Sequence, residues 1–161
     1  MPFLLLSVGG NALADFTETF DNGSDDGNWH LTSANIHIVS GSGSTDDHGT
    51  PTGLGNLIIG YDEDPPNYVN RSPFDNLPLT PLSPGDRGGS HNLVIGAANR
   101  FTQATFGGLV VGTANTIING YGASVSGGTG NKAGGRNTIV IGGQNVTDNN
   151  DNSIAPKPPF P

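Results

Sequence analysis

Asn92-Leu93-Val94-Ile95-Gly96, Gly108-Leu109-Val110-Val111-Gly112, Ala123-Ser124-Val125-Ser126-Gly127 and Thr138-Ile139-Val140-Ile141-Gly142 are four versions of one phrase, and an earlier copy stands at Asn56-Leu57-Ile58-Ile59-Gly60. Each of the four is followed by an asparagine, Asn99, Asn115, Asn131 and Asn145, at spacings of 16, 16 and 14 residues. A short unit at a nearly fixed period marks a stacked-repeat architecture. Apolar islands of three or four residues are too short for a helix with a hydrophobic stripe. They suit short buried strands joined by tight turns. Secondary islands at 101–106, 115–120 and 131–135 fall between the main ones. One coil therefore holds two short strands and two turns in 14–16 residues. The expected fold is all-β, a parallel β-solenoid. Glycine is expected at corners that need left-handed backbone or close approach of the next coil. The asparagines are expected to stack along a corner and satisfy one another's amides.

The composition of the whole chain is unlike that of an ordinary globular protein. Gly 26 and Pro 12 in 161 residues, with 33% hydrophobic residues, approach a low-complexity mix. The net charge of -8 is uneven: residues 1–87 carry twelve acids, whereas residues 88–147 carry none and only Arg100, Lys132 and Arg136 as bases. Phosphate backbones call for clustered positive charge, so nucleic acid is not an expected partner. No stretch approaches the length of a membrane helix, so membrane insertion by this chain is not expected either. Without cysteine, nothing covalent staples the coils.

The chain divides into five parts. Residues 1–14 read as a signal peptide or an N-terminal strand, from the apolar run Phe3-Leu4-Leu5-Leu6-Ser7-Val8 and the small residues Ala12-Leu13-Ala14. Residues 15–60 are an N-terminal β segment, with a strand over 29–39 that places Leu31, Ile36 and Ile38 on one side and His37 outward. Residues 61–89 are an acidic, proline-rich insertion loop, since Pro65, Pro66, Pro73, Pro78, Pro81 and Pro84 remove ladder donors. Residues 90–147 are the repeats, and 148–161 a flexible polar, proline-rich tail. So small a coil buries about a dozen large side chains in all, little against the ordering of some sixty Gly-rich residues. Three chains side by side, sharing an apolar axis, would resolve this, and a homotrimer is the expected state.

The Ser124-Val125-Ser126-Gly127-Gly128 phrase ending at Asn131, the Asn131-Lys132-Ala133-Gly134-Gly135 phrase and the Asn-Leu-Val-Ile-Gly phrases resemble the head repeats of trimeric autotransporter adhesins of the YadA type. The phrase Gly89-Ser90-His91-Asn92-Leu93-Val94-Ile95-Gly96 also resembles repeats of uncharacterised bacterial proteins. The resemblance covers about residues 32–147. It implies a left-handed β-roll, three chains wound together, and display at the bacterial surface against protein or glycan ligands. The chain has no heptad stalk and no C-terminal barrel strands, so it reads as a fragment or a secreted piece.

No residue is assigned to catalysis, to a cofactor or to a metal. His30, His37, His48 and His91 are scattered, with His91 expected as a corner residue bonding near Asn92. Asp21, Asp25 and Asp26, and likewise Asp62, Glu63 and Asp64, offer oxygen ligands of the calcium kind without its spacing, and read as solvated loops. The repeats at 90–145 contain no Asp or Glu, so an enzyme would have to draw its acids from 46–86. The threonines do not hold one face, which argues against an ice-binding row. Tyr61, Tyr68 and Tyr121 could stack on sugars or dock on proteins. Asn22-Gly23-Ser24 and Asn145-Val146-Thr147 match the glycosylation acceptor pattern. The expected function is a non-catalytic structural or adhesive surface module, extracellular or on the cell surface. The alternative is a monomeric carbohydrate-binding or carbohydrate-acting β-helix.

Overall fold

A computed structural model describes residues 7–8, 12–13, 35–64 and 81–156. The chain falls into two units, Met1–Ile36 and His37–Pro161. In the first, strands β1 (Ser7–Val8) and β2 (Ala12–Leu13) pair antiparallel.

The second unit is a parallel β-solenoid. Its larger sheet stacks β3 (Leu57–Ile59), β4 (Leu93–Ala97), β6 (Leu109–Thr113), β8 (Ser124–Thr129), β10 (Ile139–Val140) and β12 (Ile154–Ala155) in chain order. The smaller sheet stacks β5 (Arg100–Phe101), β7 (Thr116–Ile117), β9 (Lys132–Ala133) and β11 (Thr147–Asp148). Every pairing between coils is parallel. Along the larger sheet the register Leu57, Leu93, Leu109, Ser124, Ile139, Ile154 steps by 36, 16, 15, 15 and 15 residues. The long first step holds the proline-rich excursion.

Alternation in each strand sends one side chain inward, and the core is that narrow. From the larger sheet come Val94, Val110, Val125 and Val140, all fully buried, and then Ala155. From the smaller sheet come Phe101, Ile117 and Ala133, in register, and then Asp148. The second column loses apolar bulk toward the C-terminal end, from a ring to a methyl, and closes on a carboxylate that accepts from the Asn150 backbone and amide.

Polar ladders hold the corners. The N–H of Asn99 donates to Asp62 Oδ1, that of Asn115 to Asn99 Oδ1, that of Asn131 to Asn115 Oδ1 and that of Val146 to Asn131 Oδ1, at 2.7–3.1 Å. Each Nδ2 of Asn99, Asn115 and Asn131 donates to a carbonyl four residues back, Ile95, Val111 and Gly127. It also donates to a carbonyl of the next coil, Gly112, Gly128 and Gly143. A shorter ladder runs from Asn56 to Asn92 to the N–H of Gly108. Buried asparagines are thus consumed by backbone groups that would otherwise be orphaned.

Three expectations need correction. The fourth rung is Val146 and not Asn145, because the last coils are 15 residues long and a final rung need supply only an N–H. Asn145 occupies the left-handed position before it, φ 57°, equivalent to Ala98 and Ala114 at 56° and 54°. Those corners accept residues other than glycine at some cost in strain. Residues 148–156 are not a tail. They contain Asp148 of β11 and all of β12, and so complete a further coil whose apolar content is only Ile154 and Ala155. Over 29–39, residues 35–39 form no strand and Ile36, Ile38 and Val39 are exposed, because no neighbouring strand pairs with them. Residues 29–34 lie outside the described residues, as do 14–28, 65–80 and 157–161.

Candidate functional site

Three surfaces of the solenoid carry side chains that the stacking itself does not consume. The first is the outward face of the larger sheet. Leu57, Leu93, Leu109, Ser124, Ile139 and Ile154 form one row, and Ile59, Ile95, Val111 and Ser126 a second, which Ile141 continues. Leu57, Ile59, Ile139, Ile141 and Ile154 are 37–51% exposed. The equivalent row on the smaller sheet is Arg100, Thr116, Lys132 and Thr147. One outer face is apolar but for the two serines of β8 and carries no charge, and the other is polar.

The second surface is the root of the excursion. Arg87 reaches both sides of it: Nε lies 3.0 Å from Asp62 Oδ2, NH1 donates to Asp64 Oδ1 at 3.1 Å, and NH2 donates to the carbonyls of Asp62 and Glu63. The turn carrying Arg87 bonds to the solenoid, since Asp86 O accepts from Phe101 N–H and Gly85 O from Gln103 N–H. Asp86 also pairs with Arg100, Nε to Oδ2 at 3.3 Å. Asp62 is buried, and burial pushes its carboxyl above the ordinary range. The Asn99 N–H and the Arg87 charge oppose that shift, while Glu63 and Asp64 add to it.

The third is the corner column Ser90, Phe106 and Tyr121, joined by single bridges. The Phe106 and Tyr121 rings stack with centroids 5.6 Å apart. Beyond Phe106 lies an open groove of about 370 Å³ lined by Gly49, Thr50, Pro51, Gln103 and Ala104. Its far wall belongs to the loop 40–53, which is tied down by Asp47. That carboxylate accepts from the hydroxyls of Ser40, Ser42 and Thr52 and from Thr52 N–H, and the hydroxyls of Ser40, Ser42 and Ser90, with the Thr52 N–H, hold it well below the usual carboxylate range. Ser90 Oγ accepts from the N–H groups of Thr52 and Gly53.

The remaining candidates are placed individually. His91 is a corner residue, φ 55°, and its Nε2 accepts from Ser40 N–H at 3.1 Å, so its bond goes to the loop and not to Asn92. His37 and His48 are exposed. Five of the described acids of 46–86 are held in three places: Asp46 and Asp47 by bonds within their own loop, Asp62 and Asp64 together by Arg87, and Asp86 by Arg100. Among the described residues no three of His, Asp or Glu group as a metal site. Tyr61 is 93% exposed and Tyr121 42%. Asn145 and Thr147 of the acceptor pattern are both exposed. His30, Asp21, Asp25, Asp26, Tyr68 and Asn22-Gly23-Ser24 lie outside the described residues. Among the described residues no helix is long and apolar enough to cross a membrane.

Sequence reading missed the Asp62 rung and the Arg87 staple. The signal for the first is Gly60-Tyr61-Asp62, an acid close behind a repeat glycine, obscured because the rung follows Gly60 by two residues and Gly96 by three. No protein-family model, curated protein or solved structure matches this chain.

Proposed function

We propose that the chain is a non-catalytic structural or adhesive module of the cell surface or extracellular space. In this reading three copies assemble side by side through the outward face of the larger sheet. The observation that carries it is the contrast between the two outer faces. Two aligned rows on one face, Leu, Ile or Val at every rung except Ser124 and Ser126 of β8 and with no charge among them, form the kind of apolar surface that marks a contact. The polar row on the other face suits solvent. The likeness of the repeat phrases to YadA-type heads supports a count of three. The excursion, stapled at its root by Arg87, is the part such an assembly would present to a ligand.

Full-length protein on beads, tested against matrix proteins and a glycan panel, checks the adhesive reading. A chain with residues 65–80 replaced by a Gly-Ser linker serves as the comparison. Binding that the replacement abolishes is the expected result. Binding by neither chain would contradict adhesion and leave a scaffold.

One observation favours a second reading, a monomeric carbohydrate-binding β-helix. The Phe106–Tyr121 ring stack beside a groove with Thr50 and Gln103 at its margin offers apolar faces and polar side chains together. Loss of glycan binding in Tyr121→Ala, with the excursion intact, would move the site there.

A further inference from the structure

The main ladder starts on a residue that can do only half of what a rung does. At Asn99, Asn115 and Asn131 the Oδ1 accepts the N–H of the next rung, while the Nδ2 donates to two carbonyls. Asp62 performs the first task, accepting Asn99 N–H at 2.7 Å. It has no counterpart of the second, because an ionised carboxylate donates nothing. It also carries a charge at 3% exposure, where a neutral amide would cost less.

What the acid adds is a hold on Arg87. The Nε lies 3.0 Å from Oδ2, yet its N–H is directed at the Asn99 carbonyl, 3.4 Å away. Charge, not a directional hydrogen bond, therefore binds Oδ2. The same guanidinium gathers the carbonyls of Asp62 and Glu63 and the Asp64 carboxylate from the chain before the excursion, and its own turn follows the excursion. A residue that weakens a local pattern is expected to offset that loss elsewhere.

We infer that Asp62 and Arg87 form an acid-opened clamp, which holds residues 62–64 and 84–88 together at the first rung and releases Arg87 when Asp62 is protonated, leaving the Asn99 bond in place. The charged groups around it are Arg87, Glu63 and Asp64, with Asp86 and Arg100 engaged in their own pair. Burial favours the neutral carboxyl, and the folded-state value lies above the ordinary 3.8. Protonation within that window therefore favours the folded solenoid relative to the unfolded chain, and is fully felt below 3.8. Acid would open the clamp without melting the ladder. The clamp acts within one chain and does not depend on assembly.

Amide hydrogen exchange of the full chain between pH 7 and pH 4 tests this, with Asp62→Asn and Arg87→Gln alongside. Taking exchange relative to Asp62→Asn removes the intrinsic pH dependence of the chemistry. At pH 7 the amides of Phe101 and Gln103, which donate to the Arg87 turn, should exchange roughly tenfold more slowly in the native chain than in either variant. That ratio should fall toward one in acid, with the Asn99 amide protected throughout. A ratio near one at pH 7, or one unchanged in acid, overturns the clamp. So does an Asp62→Asn chain that fails to fold, because the clamp makes asparagine an acceptable rung.

Discussion

Asn56-Leu57-Ile58-Ile59-Gly60 and Asn92-Leu93-Val94-Ile95-Gly96 are nearly the same five residues, lie side by side as β3 and β4, and have opposite fates at their centre. Val94 is 0% exposed and its partner Ile58 45%. The difference is closure. The coil of β4 continues through Asn99 into β5, so Phe101 faces the space that Val94 fills. After Asp62 the chain of the first coil leaves on the excursion, and the smaller sheet begins only with β5. An apolar phrase is buried by a completed coil, not by being apolar. The first coil is half a coil that covers the end of the stack.

The sharpest way to break that comparison is to truncate Ile58 and a buried isoleucine of a closed coil. Ile117→Ala in a closed coil should cost about 2–5 kcal/mol, and Ile58→Ala under about 1 kcal/mol, by urea unfolding at constant m. Equal costs would mean that something else closes the first coil. Glycines sharpen it next. At Gly112, φ 115°, a Cβ would sit 2.4 Å from the Gly128 carbonyl, whereas at Gly85, φ 89°, it would meet nothing within 4 Å. Gly112→Ala should therefore cost about 2–3 kcal/mol and Gly85→Ala about 1 kcal/mol, compared by thermal melting.

Among the asparagines, Asn115→Ala strands the buried Asn131 N–H and should cost about 1–3 kcal/mol. Asn56→Ala should cost less, because Asn56 itself is only partly buried at the end of the stack. The smallest effect concerns acid. Asp47 is held below its ordinary value, so its contribution is present above that value and is lost only as pH falls through the depressed one. The Thr52 amide, which donates to Asp47 Oδ2 at 2.9 Å, should keep its exchange protection at pH 4 in the native chain. In Asp47→Ala it should keep only part of that protection, because Ser90 Oγ also accepts from it at 2.8 Å.

The closed coils were legible because their period is carried by large residues. The phrases at 92, 108, 123 and 138 announce strands that the structure contains, and Asn99, Asn115 and Asn131 stack as their spacing requires. Legibility fails where geometry asks for something composition does not advertise. The last coil needs only small interior groups and obtains them from Ala155 and Asp148, so it reads as a tail. The first rung follows an irregular corner, so Asp62 reads as one of three solvated acids. Residues 35–39 show the reverse error: Ile36 and Ile38 alternate about His37 like a strand but pair with no strand. The apolar outer face was foreseen only as a need for neighbours, because sequence alternation does not say which sheet faces solvent.

The account turns on whether that face is covered by further copies of the chain. The mass of the full chain in solution, measured by light scattering over a range of concentrations, tests this most directly. Side-by-side assembly predicts a stable mass near three times that of the 16.4 kDa chain. A folded species of one chain at every concentration would contradict it.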